Sequence, residues 1–197
     1  MCDGRALKVA GIILAAGAST RMGQPKQLLK LGEERLLDRA VRVARQAGCA
    51  PVVVVLGASA EAILAECSLD NATVVISPEW SEGMASSIRC GVRQVAEECD
   101  ATLLMVCDQP AVTSDHLREL VDRCTDRDIG GPVASSYAGR RGVPACFPAS
   151  HFAELLLLRG DSGARHLLES TLAVELAGGE LDIDTPLALE TAKTIYC

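Results

Sequence analysis

Near its start the chain runs Leu14-Ala15-Ala16-Gly17-Ala18-Ser19-Thr20-Arg21-Met22-Gly23-Gln24-Pro25-Lys26, small residues joined to two cations and a hydroxyl. Small side chains at 15–18 let backbone N–H groups approach an anion closely, and Gly17 and Gly23 permit tight turns. Arg21 offers a planar fork of donors, Lys26 a compact ammonium and Ser19 a hydroxyl, the groups a triphosphate requires. The stretch is not a Walker loop, because no GK[ST] follows the glycines, and GxGxxG is absent as well. Asp108 is followed by Gln109-Pro110 at the end of an apolar run, where a carboxylate can hold Mg²⁺ by oxygen or simply make a turn. Asp182 and Asp184 lie two apart, so on a short strand over Leu181–Ile183 both carboxylates would share one face. Ser86 and Ser87 follow Glu82-Gly83, where either can cap a helix. His116, His151 and His166 have no metal-ligand spacing and read as surface or helix-face residues.

The elements that must position these groups alternate. Lys8–Leu14 is a short apolar run that ends in the small-residue loop. Leu36, Leu37, Ala40, Val41, Ala44 and Ala47 recur with helical spacing up to Gly48. Val52–Leu56 is a continuous branched run, the pattern of a strand buried on both faces of a parallel sheet. The reading continues with helix 59–66, strand 73–76, helix 84–98, strand 102–107 and a helix capped by Ser114. This alternation predicts a layered α/β sheet, whose ligands bind outside the carboxyl ends of the strands. In the last third, 129–135 and 143–147 can pair around a Gly139–Gly142 turn. Helices at 152–158 and 164–169, a strand at 172–176 and a final helix capped by Thr185 complete the expectation.

Composition sets the outer bounds. A chain of 197 residues that is 49% hydrophobic and 23% charged can bury a full core and is expected to be one domain over 1–197. The net charge of −7 argues against a nucleic-acid partner, whose phosphates need a basic surface. Nine cysteines without a CxxC pair argue against structural zinc and a disulfide framework, and several, such as Cys107, lie in apolar runs where a thiol packs as a small hydrophobe. With no signal-peptide pattern over Met1–Arg5 and no apolar run of membrane-span length, the chain is expected to be cytoplasmic and without a membrane partner.

The string from Leu14 to Leu29, LAAGASTRMGQPKQLL, resembles the signature of the MobA-like nucleotidyltransferases, and within them the molybdopterin cytidylyltransferase branch. The similarity continues in order through Glu82–Gly91, Cys107-Asp-Gln-Pro110, Gly139–Pro144, Gly160–Arg165 and Asp182–Pro186, nearly the whole chain. Related guanylyltransferases typically show LAGG and a DK pair, where this chain has Ala15-Ala16-Gly17 and Pro25-Lys26. Relatives often carry His where this chain has Val143.

The resemblance implies a three-layer, Rossmann-like nucleotidyltransferase fold of GT-A type with a mixed, mostly parallel sheet. It implies that Leu14, Ala15, Ala16, Gly17, Ser19, Arg21, Gly23, Lys26, Gly83 and Ser87 bind the nucleotide. Arg21, Lys26 and Asp108 would be catalytic, and Asp108 and Asp184 would hold Mg²⁺ or Mn²⁺, with Asp182 as the substitute for Asp184. Arg141, Asp161 and Arg165 would face the acceptor. The implied reaction is transfer of CMP from CTP to the phosphate of molybdopterin. Alternatives are a guanylyltransferase using GTP, a delivery adaptor for a molybdenum hydroxylase apoenzyme (compatible with several exposed cysteines) and an NAD(P)-dependent oxidoreductase, against which the missing GxGxxG counts.

Overall fold

The computed structural model describes residues 6–69, 71–161 and 163–197. The segment Met1–Arg5, with Cys2, and Ser162 of the Gly160–Arg165 motif therefore lie outside the described residues.

A seven-stranded sheet carries the molecule. Its members are β1 (Val9–Ala15), β4 (Val52–Leu56), β5 (Thr73–Ile76), β6 (Ala101–Val106), β7 (Val133–Tyr137), β8 (Arg140–Pro148) and β9 (Leu172–Glu175), in the order β5-β4-β1-β6-β8-β7-β9. β2 (Lys30–Leu31) and β3 (Glu34–Arg35) form a separate small hairpin. The β5-β4-β1-β6 half is parallel throughout, β8 runs antiparallel to both its neighbours, and β9 pairs parallel to β7. The α/β class and the mostly parallel, mixed sheet agree with the expectation.

Period-2 alternation explains why the central strands are continuously apolar. Val9, Ile13 and Ala15 of β1 pack on one face with α1 (Leu36–Gln46) and α4 (Ser114–Thr125). Ala10, Ile12 and Leu14 pack on the other with α3 (Met84–Arg93) and α5 (Phe152–Leu157). Both faces are dry, so no position in the strand is left for a polar residue, and each branched side chain buried contributes about 1.5–3 kcal/mol. Helix α3 lies so close to the sheet that a Cβ at Gly91 would stand 2.5 Å from Ile12 Cγ2. Met22, Leu29, Leu31, Leu36, Ile183 and Ala192 form a third cluster, which seats the C-terminal helix α6 (Pro186–Tyr196) against the β2–β3 hairpin. α2 (Ala60–Glu66) completes the helices. Among the described residues no helix is long and apolar enough to cross a membrane.

Several local expectations shift. The α-helix expected over 84–98 ends at Arg93 and continues as tightened turns. Thr113, not Ser114, caps α4, its hydroxyl accepting the His116 N–H at 3.2 Å. The helix expected at 164–169 is a 3-10 turn over Arg165–Leu168. The β7–β8 turn is Ala138-Gly139, both left-handed at φ 48° and 73°, so Arg140 and Arg141 belong to β8 rather than to a turn. Left-handed angles at both central residues match the twist of a tight hairpin.

Between Ala134 and Ser135 the β7–β8 register slips, which takes Val143 and Pro144 out of the ladder. Their freed carbonyls are satisfied by side chains. Tyr137 O–H donates to Val143 O at 3.0 Å, and Ser135 O–H donates to Pro144 O at 2.6 Å. Having given its proton away, Ser135 Oγ accepts from His116 Nε2–H at 2.8 Å. His116 is thus buried and structural, not a surface residue. Burial pushes its pKa below the ordinary histidine value, against a smaller opposing pull from Glu119. A lowered folded pKa means that the unfolded chain takes up the proton first. The stabilisation is therefore complete above the unfolded pKa and is lost as pH falls through it. Thermal unfolding at pH 7.5 and pH 5 should show a larger loss for the wild type than for His116→Gln, whose amide can still donate to Ser135 but does not titrate.

Eight cysteines fall among the described residues and all are free; Cys49, Cys99, Cys107, Cys124 and Cys146 are buried. Cys67 and Cys90 are half-buried and only Cys197 is exposed. The expectation of several exposed thiols does not hold among the described residues, where five of the eight are buried and Cys49, Cys107, Cys124 and Cys146 belong to the larger core cluster.

Candidate active site

The carboxyl ends of β1 and β6 open on one cavity of about 690 Å³. β1 ends in the Ala15–Gly17 turn and β6 ends at Cys107-Asp108, adjacent because β1 and β6 pair directly. After the turn the chain makes a 3-10 loop at Thr20–Met22 and another at Lys26–Leu28. Gln27, only 1% exposed, is inserted under the loop and donates through Nε2 to Ala15 O at 2.7 Å and to Gly17 O at 3.4 Å. Lys26 N–H donates to Ser19 Oγ at 3.1 Å, closing the loop on itself. These bonds aim Lys26 at the end of β6.

There Lys26 Nζ donates to Asp108 Oδ2 and, at 2.9 Å, to Asp184 Oδ1, while Arg21 donates to Asp184 Oδ2 at 2.7 Å. Two cations and two carboxylates from three distant parts of the chain thus meet at one rim. Burial works against the Lys26 ammonium, but Asp108 and Asp184 outweigh it and raise its pKa above the ordinary lysine value. Asp184 is raised by burial and lowered more strongly by Lys26 and Arg21, so that it lies below the usual carboxylate range. For Asp182, burial, then the charges of Asp108 and Asp184, outweigh the pull of Arg140 and Lys26 and push its pKa up to about 6. Burial likewise pushes the Cys107 thiol up to about 12, so it stays protonated beneath the site.

The irregular segment over 181–184 delivers Asp184. No strand forms there, contrary to expectation. Ile183 is buried in the small third cluster and its N–H donates to Asp108 O at 2.9 Å. Pinning Ile183 brings the carboxylates on either side of it to the cavity wall. On the other side of the β1 loop, Arg39 of α1 holds the chain after Asp108 by donating to Pro110 O at 2.8 Å and Val112 O at 3.0 Å. Arg89 of α3 donates to Leu158 O at 2.9 Å and to Glu79 and Glu82 at 3.1 Å, tying Trp80–Gly83 to the start of the Gly160–Arg165 loop.

Of the residues expected to bind nucleotide, Leu14, Ala15, Ala16, Gly17, Arg21, Lys26, Gly83 and Ser87 line the cavity, as do Asp108, Asp184, Arg141, Asp161 and Arg165. Ser19 and Gly23 do not. Ser19 takes the left-handed turn itself (φ 52°) and spends its oxygen on Lys26 N–H; Gly23 closes the 3-10 loop at φ 68°. Gly17 has no left-handed angle and a Cβ there would meet nothing within 4 Å, so its expected turn role falls to Ser19. Sequence reasoning singled out neither Gln27, Gln109, Tyr137 nor Trp80, all of which line the cavity. The only signal for the two glutamines was their position beside Lys26 and Asp108.

Residues 11–176 match the MobA-like NTP transferase domain. The chain belongs to that family. Among MobA-like relatives, it is 34% identical over 166 residues to the nicotine blue oxidoreductase of Paenarthrobacter nicotinovorans, covering 81% of each chain. It is 28% identical over 191 residues to the molybdenum cofactor cytidylyltransferase of Escherichia coli K12, covering 94% of this chain and 95% of that one. The crystal structure of Rv0371c from Mycobacterium tuberculosis H37Rv superposes with a TM-score of 0.82 at 33% identity, covering 96% of this chain and 99% of that chain. The same protein is also described in complex with manganese, at 32% identity and a TM-score of 0.76 over 95% and 99% of the two chains. The MobA-like assignment accords with a small-residue loop and carboxylates that share one rim without a Walker or GxGxxG motif.

Proposed function

We propose that this member of the family transfers CMP from CTP to the phosphate of a molybdopterin-type acceptor and releases pyrophosphate. The observation that carries the reading is Lys26 standing between Asp108 and Asp184, with Arg21 beside them, at the mouth of the β1 loop. An acceptor phosphate oxygen attacks the α-phosphorus of the triphosphate. The bond from that phosphorus to the oxygen bridging it to the β-phosphate breaks, and its electrons leave with pyrophosphate. The acceptor phosphate is ionised near neutral pH, with a second pKa of about 6 as in phosphoserine, so no side chain needs to remove a proton. What the chain must supply is in-line placement and charge neutralisation. Arg21 and Lys26 meet the charge on the α-phosphate and the leaving group, the loop amides contact phosphate oxygens, and Arg141 and Arg165 attract the acceptor's phosphate.

The residues fit a divalent cation. Asp108 is 6% exposed and its Oδ1 has no hydrogen-bond partner, a buried oxygen without a donor. Among the described residues no cluster of three or more His, Cys, Asp or Glu forms a complete metal cage. Two carboxylates are what Mg²⁺ takes when substrate phosphates complete its shell. Asp108 and Asp184 would hold it, and the description of Rv0371c in complex with manganese supports use of a divalent cation. When bound, such an ion neutralises phosphate charge as a Lewis acid.

Choice of CTP rests on Ala15-Ala16 and Pro25-Lys26. Incubating the protein with each of the four triphosphates, Mg²⁺ and molybdopterin, and measuring pyrophosphate, should give the highest rate with CTP; preference for GTP would move it to the guanylyltransferase branch. A second reading, an oxidoreductase, is favoured by the 34% identity to nicotine blue oxidoreductase. NAD(P)H oxidation without pyrophosphate release would establish that reading in place of transfer. Delivery of the finished cofactor to a molybdenum hydroxylase apoenzyme is compatible with transfer at the same cavity.

A further inference from the structure

Trp80 is the chain's single tryptophan, and nothing in the charged centre uses it. It begins a 3-10 turn over Trp80–Glu82, is only part-buried and lines the cavity. An indole left in contact with solvent at a cavity wall forgoes part of the stabilisation that full burial brings, and a flat ligand can restore it.

The side chain has a built seat. A Cβ at Gly57, the residue after β4, would lie 2.5 Å from Trp80 Cβ, 2.6 Å from Trp80 Cγ and 2.8 Å from Ala16 O. Gly57 has no left-handed angle, so its missing side chain serves the close approach of Trp80 rather than a turn. On either side of Trp80, Glu79 and Glu82 each accept from the buried Arg89 at 3.1 Å. Ala58 N–H donates to Ala16 O at 3.0 Å, which joins the end of β4 to the β1 loop. The turn is therefore held on both flanks and the side chain at its root.

Position in the sheet decides what the ring can meet. β4 and β6 pair with opposite edges of β1, so Trp80, against the end of β4, and Asp108, at the end of β6, stand on either side of the β1 loop. Two strand spacings amount to about 10 Å. One end of the cavity offers an aromatic wall and the other Lys26 and Arg21. A ligand that matches both carries a flat ring at one end and phosphates at the other, with a spacer of sugar size between them.

We infer that Trp80, seated on Gly57, is the platform on which the base of the nucleoside triphosphate stacks. This rests on the proposed nucleotidyl transfer and adds the residue that holds the base. Every base has a π-face, so the platform holds cytosine and guanine alike and supplies affinity rather than choice between them.

Because Trp80 is the only tryptophan, intrinsic emission reports on this residue alone. Wild type is titrated with CTP, GTP and inorganic tripolyphosphate, each with Mg²⁺, and binding is followed in parallel by calorimetry. Both nucleotides should change the emission, whereas tripolyphosphate should bind and leave it unchanged. Trp80→Ala should lose about 5- to 100-fold in affinity for CTP and for GTP. Its affinity for tripolyphosphate, held on the far side of the β1 loop, should stay within about twofold. Trp80→Phe should regain most of the loss for the nucleotides. An equal loss for tripolyphosphate makes Trp80 a structural residue and overturns the inference. Calorimetric binding of CTP with unchanged emission also overturns it, and leaves the transfer reading standing. If Trp80→Ala does not fold, the contrast in emission between CTP and tripolyphosphate on wild type decides alone. Binding of none of the three ligands overturns the inference and the transfer reading together.

Discussion

Replacing Lys26 by Met, or Asp108 by Asn, should lower pyrophosphate release from CTP and acceptor by about 10²–10³, the effect of removing one preorganised electrostatic partner. The two changes act at the same point from opposite sides. Lys26 is held by Ser19 at its backbone and by Asp108 and Asp184 at its tip, so its charge is in place before substrate arrives. In the proposed reaction an ammonium already held at the rim would stabilise charge building on the phosphates more than a mobile one, because less must reorganise. Lys26→Met carries a further signature. With the ammonium gone, Asp108 and Asp184 face each other without their shared counter-ion, and a Mn²⁺ titration followed by electron paramagnetic resonance should show tighter binding to the nucleotide-free variant than to wild type. Asp108→Asn should show weaker binding in the same titration. Full turnover by Asp108→Asn at saturating Mg²⁺ would sink the assignment.

The second large effect belongs to Gly83, which touches no charge. It stands at φ 114°, ψ −175°, a region essentially closed to residues with a Cβ. A Cβ there would lie 2.8 Å from both Asp161 Cα and Gly160 O, backbone atoms that cannot turn aside. Ala85 N–H donates to Gly160 O at 3.1 Å, so Gly83 is where the start of α3 is riveted to the Gly160–Arg165 loop. Gly83→Ala should cost about 1–3 kcal/mol from strain alone, with the collision adding to it, measured by urea unfolding. It should also lower kcat/KM by up to about 10²-fold through misplacement of the cavity wall. The loss should fall mainly on KM, because Lys26, Arg21 and Asp108 are untouched. A loss confined to kcat would mean that this wall acts on the chemistry directly.

Together the two variants separate what the loop supplies from what the wall supplies. In the proposed reaction the charged centre would stabilise developing charge, and the α3 rivet would set the shape into which substrate fits.

How much of this was legible beforehand follows from the range of the interactions. The run Val52–Leu56, the helical spacing from Leu36 to Ala47 and the small residues after Leu14 are local patterns, set by side-chain period and backbone sterics, and the sequence alone determines them. The same holds for the cationic character of the Arg21–Lys26 loop and for the oxygen donor at Asp108, which the end of an apolar strand presents wherever the strand is placed. Thr185 and Pro186 likewise announce the start of α6 without help from any neighbour.

Other features exist only by virtue of tertiary contact. Asp184 reaches Lys26 across a separation of 158 residues because Ile183 is buried in a cluster with Leu31, Leu36 and Ala192. No periodicity in 181–184 encodes that, and the strand expected there does not form. Gln27 and Gln109 carry neither charge nor nucleophile, so what they do lies wholly in which groups their amides meet, Ala15 O and Gly17 O for the one, Gly179 O and the Tyr137 hydroxyl for the other. His116 reads as a surface or helix-face residue, and only the β7–β8 slip, which frees the Pro144 carbonyl, gives the imidazole of this α4 residue a buried partner through Ser135. Sequence therefore determined the chemistry that each segment could bring, since that is a property of residue types and local backbone. Folding decided which of those groups share a cavity, because long-range packing alone sets the distances over which charge and hydrogen bonding act.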